Sequence, residues 1–378
     1  MAWSGRQSLS ITLFADCRQG WVPLFKSYCR REEEWNRRQR PFTFAMNIEP
    51  IEFFNEVEAP DLGAASALMR ANWTPPCWLY EPDLLAMHIL RPTGDPTMAS
   101  GLRAKNGDLA AYLAFIPLRV RVFDTVYSAV FASFFTVSHR YRRHHLSDRQ
   151  QGLMVDRARN RGYDLYLAVT VAGTPVNQTV ARSFGTRGLR MRPIHNFRYL
   201  AGVAPIVRGR LSTAVLPGVR RYRQDDEARA FELLSEAGTE VDLAKVVARE
   251  DVDFTLRTRP RIQTYVYETG GAVQGLLSVA VLPVVAGRVG LNAYVESVAF
   301  GRLDTVTRAA FVDTVLRTVL AQGVEAVMIP DTGYADMSPF RRLGFRAAPR
   351  KLRLLLAPLR SEVLTLPEEV GGFYLDVF

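Results

Sequence analysis

Phe134-Phe135-Thr136-Val137-Ser138-His139-Arg140-Tyr141-Arg142-Arg143-His144-His145-Leu146-Ser147 runs from apolar strand-forming residues through a cluster of Arg and His into the start of an amphipathic stretch. The apolar beginning reads as a strand, the basic middle as a loop, and residues 147–161 as a helix stopped at Gly162. A strand that passes through a basic loop into a helix suits a pyrophosphate. Successive backbone N–H groups and the positive helix end face the anion, and cationic side chains add charge. Val137, Arg142, Arg143, His144, His145, Leu146 and Ser147 are therefore the candidate anion-binding residues. A basic surface turn is the competing reading.

The pattern extends outward on both sides. Upstream, residues 109–123 and 126–137 are long apolar runs joined at Asp124-Thr125, a strand pair. Pro60-Asp61 opens a helix with Leu62, Ala65, Leu68 and Met69 on one face, residues 83–90 form a second helix ended at Arg91-Pro92, and residues 47–54 are strand-like. Downstream come a strand (163–171), a short helix (176–184) and a closing strand (191–200). Residues 205–217 read as a connector, after which the order recurs. A strand (219–223) and a helix (225–237) precede three strands (262–267, 273–282, 289–299), a long helix (304–322), a strand (324–329), a short helix (337–343) and a last strand (345–356). The repeated order predicts a duplicated α/β unit with helices flanking mixed sheets. The expected boundaries are an extension at 1–45, a first domain at 46–204, a connector at 205–217, a second domain at 218–359, and a tail at 360–378 that enters the active site.

Bulk properties fit two domains. The chain has 378 residues, 48% hydrophobic and 23% charged, enough to bury a core and too apolar for wholesale disorder. No apolar run approaches the roughly 18–20 residues that cross a bilayer, and no secretory signal pattern opens the chain. Cys17, Cys29 and Cys77 lack metal-ligand spacing and read as free thiols, so the expectation is a cytoplasmic protein. The net charge of +10 is spread along the chain without a nucleic-acid motif; it suits a solvated basic surface or an acidic partner such as a nucleotide-bearing cofactor or an acyl carrier protein. His139, His144 and His145 lack an acidic or thiol partner, so no metal is expected.

The strand–loop–helix unit resembles the acetyltransferase-type (GNAT) fold. Arg142, His145 and Ser147 occupy the slots of the GNAT loop [Q/R]-x-x-G-x-[G/A], with His145 in the Gly slot. Residues 177–188 (NQTVARSFGTRG) and Phe340-Arg341-Arg342-Leu343-Gly344-Phe345 resemble a second GNAT signature in each half. The first half is more specifically similar to eukaryotic N-myristoyltransferase, itself a tandem GNAT. Leu90-Arg91-Pro92 stands at the family's L-R-P; Ile116-Pro117 and Arg121-Val122-Phe123-Asp124-Thr125 match I-P-x-x-[IV]-x-[IV]-[FY]-D-T with a one-residue spacing change. FFTVSHRYRRHHLS lies without gaps on F-L-x-V-x-x-x-x-R-x-x-x-L-A, and Ala168 through Gly173 resembles A-V-Y-T-A-G. Three departures stand beside this. The family's N-terminal aromatic segment has no match in residues 1–45, its peptide-contacting Thr is Val171 followed by no P-K-P, and the loop's basic residues are Arg and His.

The resemblance implies an acyl-CoA-dependent N-acyltransferase. It implies that the backbone N–H groups of Phe134 and Phe135 form an oxyanion hole, the two rings being plain core. It also implies that the terminal carboxylate, on Phe378 in the tail GGFYLDVF, deprotonates the amine, with Asp376 as the reserve base. The second half has ESVAFGRLDTVT with a lone Arg302 where the first has its basic loop, so only the first copy is expected to hold cofactor, and the second to form the acceptor cleft. The bulky apolar content of residues 112–135 suits a long fatty acyl chain, and ordinary core explains it equally. The acceptor is an amine of a peptide, protein N-terminus or small metabolite. Three other readings stand open: an enzyme fed by acyl carrier protein in lipopeptide or natural-product synthesis, a non-catalytic acyl-CoA sensor, and aminoacyl transfer from tRNA on the same double fold.

Overall fold

The computed structural model describes residues 54–376, apart from 74, 76, 143, 173, 174, 258, 260 and 361–365. The predicted extension, nearly all of the strand expected at 47–54, Cys17, Cys29, Arg143 and Phe378 lie outside the described residues.

The first half runs β1 (Asn55–Glu58), α1 (Leu62–Asn72), β2 (Cys77–Trp78), α2 (Pro82–Ile89), β3 (Ala99–Arg103), β4 (Leu109–Val122), β5 (Thr125–Val137), α3 (Leu146–Asn160), β6 (Leu165–Val171), α4 (Pro175–Gly185) and β7 (Arg192–Val203). The second runs α5 (Ala204–Arg208), β8 (Val219–Arg221), α6 (Glu227–Ala237), β9 (Leu243–Lys245), α7 (Arg249–Leu256), β10 (Ile262–Thr269), β11 (Ala272–Val285), β12 (Val289–Ala299), α8 (Thr305–Leu320), β13 (Val324–Asp331), α9 (Ser338–Arg342), β14 (Arg346–Ala347), β15 (Leu352–Pro358) and β16 (Phe373–Tyr374). The strand–helix–strands–helix–strand–helix–strand order occurs in both halves.

The long strands pair in the order β1-β3-β4-β5-β6-β15-β7-β13-β12-β11-β10-β8. Neighbours are antiparallel except β5 with β6 and β12 with β13, which are parallel because a helix, α3 or α8, crosses between them. The closing strands are exchanged. β15 from the second half lies between β6 and β7, and β7 pairs with β15 through Arg192 to Phe197 and with β13 through Arg198 to Val203. The two sheets are thus one hydrogen-bonded surface.

Patterning explains the helices. α8 buries Phe311, Val312, Val315, Leu316 and Val319 at helical spacing, and Asp304 caps it by accepting from the Thr307 N–H at 2.9 Å. α3 buries Leu146, Met154, Val155 and Ala158, and packs with Phe115, Val130 and Tyr166.

Some expectations need correction. The strand expected at 345–356 is two pieces, because Pro349 has no N–H to continue a ladder after Ala348 donates to the Tyr199 carbonyl at 2.7 Å. The expected connector begins as α5, pinned by buried Ala204 and Val207. β3, β9, α7 and β16 had no sequence reading of their own.

Candidate active site

β5 breaks register as it approaches the basic loop. Ala114 pairs with Ser133 and Tyr112 with Thr136, so Phe134 and Phe135 together stand opposite Leu113. Phe134 has a φ of 60°, in the left-handed region that a bulky side chain rarely enters. Thr136 holds the break: its Oγ1 accepts from the Trp73 Nε1–H at 2.8 Å and donates to the Phe134 carbonyl at 3.1 Å. The parallel pairing of β5 with β6 stops at Ala132, so the two strands separate where the bulge begins. Such bulges re-aim backbone groups beside sites. The Phe134 ring is buried against Tyr80 at 5.1 Å and His88 at 5.8 Å between centroids, while Phe135 packs half-buried toward α3 and α4.

The loop after β5 is anchored from beneath. Tyr141 and His144 are buried together against Phe54, Leu146 is buried, and the His139 N–H donates to Asn72 Oδ1 at 2.5 Å. This leaves Arg140, Arg142 and His145 exposed, with Arg142 3.4 Å from the His139 ring. His145 takes φ 53° at the start of α3, the backbone that favours Gly, and contributes no side-chain cap to the helix. Its ring lies 4.0 Å from Asp148. Val137 and Ser147 are half-buried. Among the sequence candidates, then, Arg142 and His145 face outward, whereas His144 and Leu146 turn their side chains into the core.

Three buried side chains lack hydrogen-bond partners among the described residues: both amide atoms of Gln150 on α3, Thr170 Oγ1 on β6 and Ser183 Oγ on α4. Thr170 lies two residues past Ala168, where the pairing of β6 with β5 stops. Orphaned polar atoms of this kind fit a substrate that brings its own donors and acceptors, as a pantetheine arm does.

The tail runs into the molecule. The Phe373 N–H donates to the Thr332 carbonyl at 2.9 Å, β16 pairs in parallel with β9, and Phe373, Tyr374 and Leu375 are buried. This brings Asp376 into a cleft of ≈ 540 Å³ that His88, Arg91, Pro117, Lys245, Asp251 and Glu296 help to line. His88 ties the cleft to the bulge through its contact with Phe134.

The buried charges of the cleft are paired with one exception. Asp376 bonds to Lys245 and lies 3.9 Å from Arg91 Nη1. Arg91 Nε is 3.6 Å from Asp251, whose other oxygen accepts from the Thr93 N–H at 2.9 Å. Burial works against ionised Asp376, but Lys245, Arg91 and His88 outweigh it and hold the carboxyl below its usual range. Burial likewise works against the Lys245 ammonium, and Asp376 outweighs it. Burial pushes His88 down to about 4, so the imidazole is neutral at neutral pH. The exception is Glu296, whose Oε1 is buried without a hydrogen-bond partner among the described residues.

The sequence reading named Arg142, His144 and His145 together, took the strand irregularity at Phe134 from the family resemblance, and named the tail as a candidate to enter the site. It missed Trp73, Thr136, His88, Lys245 and Glu296, which come from separate elements and share no spacing. No group of acidic, His or Cys side chains suited to a metal occurs among the described residues. No described helix is long and apolar enough to cross a membrane.

No protein-family model and no curated protein matches the sequence. Among solved structures, the chain is similar to Saccharomyces cerevisiae N-myristoyltransferase with bound myristoyl-CoA, at a TM-score of 0.68 and 15% identity over 83% of this chain and 80% of that one. A second crystal structure of the yeast enzyme with bound myristoyl-CoA aligns at 0.67 and 15% identity over 83% and 84%. A third, with myristoyl-CoA and inhibitors, aligns at 0.68 and 15% identity over 83% and 82%. At that identity the likeness concerns the fold: this chain has the tandem GNAT architecture that yeast N-myristoyltransferase has.

Proposed function

We propose that this chain is an N-acyltransferase that moves an acyl group, of long-chain fatty type, from acyl-CoA to an amine by direct attack on the thioester. The observation that carries the proposal is the break at Phe134 and Phe135, which opens β5 from β6 beside a helix start that no side chain caps. In this reading Arg142, Arg143, His145 and the backbone of Val137, Leu146 and Ser147 hold the diphosphate. The His144 ring serves as an anchor, so its part is to shape the loop. Gln150, Thr170 and Ser183 are suited to the pantetheine arm.

The main-chain N–H groups of Phe134 and Phe135 receive the carbonyl oxygen as it becomes an oxyanion; one such donor is worth about 2.7–4 kcal/mol. The amine nitrogen bonds to the carbonyl carbon, the C–S bond breaks, and the sulfur leaves as thiolate that recovers a proton as thiol. A carboxylate in the tail-lined cleft takes the proton from nitrogen, the terminal carboxylate of Phe378 and Asp376 being the tail's candidates. The second half supplies the acceptor side of the cleft, which fits a peptide or a small amine. The +10 charge keeps acyl carrier protein as a second donor.

The test combines calorimetry with a thiol-release assay, using acyl-CoA species of increasing length and simple amines. Saturable heat with amine-dependent thiol release is expected. Heat without release supports an acyl-CoA sensor, and no heat with any coenzyme A species overturns the proposal.

A further inference from the structure

A second β-bulge faces the cleft from the other half. On β11 and β12, Ser278 pairs with Ser297 and Val279 with Val295, leaving Glu296 as the extra residue. β5 ends at Val137 and β12 at Ala299, each three residues beyond its bulged Phe134 or Glu296. The parallel pairing of β12 with β13 stops at Tyr294, as that of β5 with β6 stops at Ala132. The duplicated fold thus carries two equivalent irregularities: Glu296 of the second lines the cleft, and Phe134 of the first touches His88, which also lines it. The first presents main-chain amides, and the second presents a carboxylate.

The cleft's other buried acids are committed. Asp251 is bound by Thr93 and Arg91, and Asp376 by Lys245 and Arg91. Among the described acids that line the cleft, Glu296 keeps a buried carboxylate oxygen without a hydrogen-bond partner. The groups that act on it are Asp376 from the tail, Lys245 from β9, Tyr80 ahead of α2, and Tyr294 on its own strand. Tyr80 also touches the Phe134 ring, which places Glu296 near the proposed oxyanion site.

We infer that Glu296 is the catalytic residue that takes the proton from the acceptor amine as its nitrogen bonds to the thioester carbon. The inference rests on the acyl-transfer reading. The carboxylate accepts one proton from the attacking nitrogen; the C–S bond breaks with its electron pair on sulfur; the proton then passes to the thiolate, so amide and thiol form and Glu296 returns to its starting state. Burial and the nearby Asp376 push the Glu296 carboxyl up to about 8 against the opposing Lys245, which makes it a better match to an amine than the ion-paired Asp376.

The experiment compares the full chain with E296Q, E296A and a chain extended beyond Phe378. It measures acyl-CoA binding and thiol release across pH, with an amine too weakly basic to be protonated at neutral pH. Glu296→Gln is expected to bind acyl-CoA normally and to lose about 100-fold or more in turnover, together with the rise in rate through pH about 8. Formate is expected to restore part of the E296A rate, a response that a packing role would not give. If E296Q keeps its rate within about threefold, well short of the ~100-fold loss of a positioned base, or keeps the same pH profile, the inference is overturned; a silent extended chain beside an active E296Q then assigns the proton to the chain end. A wild-type chain that releases no thiol overturns the acyl-transfer reading itself.

Discussion

The two strand-to-helix turns of this duplicated chain occupy equivalent places and are built in opposite ways. The turn into α3 has an uncapped helix start, a left-handed His145 and exposed Arg140 and Arg142. The turn into α8 is closed. Asp304 caps the helix with its carboxylate, and Phe300 and Leu303 are buried. Gly301 is left-handed, and a Cβ there would meet the Gln274 carbonyl at 2.8 Å. One turn offers an anion free N–H groups and positive charge; the other has spent its donors on its own acid. The scaffold is shared by both halves, whereas the residue at the helix start leaves one turn open and closes the other. The bulges diverge in the same way, into an amide-presenting Phe134 and an acid-presenting Glu296.

The sharpest way to break this contrast lies in the tail that both halves enclose. A few residues added after Phe378 should abolish thiol release while leaving acyl-CoA binding intact, as read by calorimetry, since Phe373, Tyr374 and Leu375 carry the tail into the core. Next is an exchange of helix starts. His145→Asp puts a carboxylate where the proposed function places the phosphates and should weaken acyl-CoA binding about 10- to 100-fold. Asp304→Ala should leave that affinity alone and cost about 0.5–2 kcal/mol of stability, read by denaturant titration. Equal effects on affinity would show the turns to be equivalent after all.

A smaller effect concerns Glu296, whose carboxyl is raised from 4.5 to about 8. The folded chain therefore retains a proton that the unfolded chain releases, so this group's contribution falls as pH rises from 4.5 to about 8 and is fully lost above that. Glu296→Gln should be more stable than the native chain by roughly 1–3 kcal/mol at alkaline pH and equal to it at acid pH, as thermal melts will tell. The smallest effect is on stability: His145→Gly relieves the left-handed backbone and should add roughly 0.5–1 kcal/mol, read by thermal melts.

The legible parts of the molecule were the periodic ones. α8, β11, β12 and the β4–β5 hairpin have long patterns whose burial follows directly from spacing 2 or 3.6, and the expected and observed elements coincide within a few residues. Short elements failed for want of signal. β9 is Leu243–Lys245 and β16 is Phe373–Tyr374; each is a strand only because the other lies beside it. The site divides likewise. The basic loop was visible because its residues are consecutive, but that His144 points inward while His145 points outward depends on Phe54 and Tyr141, brought in from other segments.

Sequence by itself determined the duplicated order of strands and helices, the basic turn in one copy and the acid-capped turn in the other, because hydrophobic period and capping chemistry act within a few residues. Only the tertiary structure decided that β7 and β15 exchange places, that Thr136 and Trp73 pin a bulge, and that Lys245, Asp376 and Glu296 meet in one cleft. Those pairings are settled by burial between segments far apart in the chain, 63 residues for Trp73 and Thr136, where no local rule reaches.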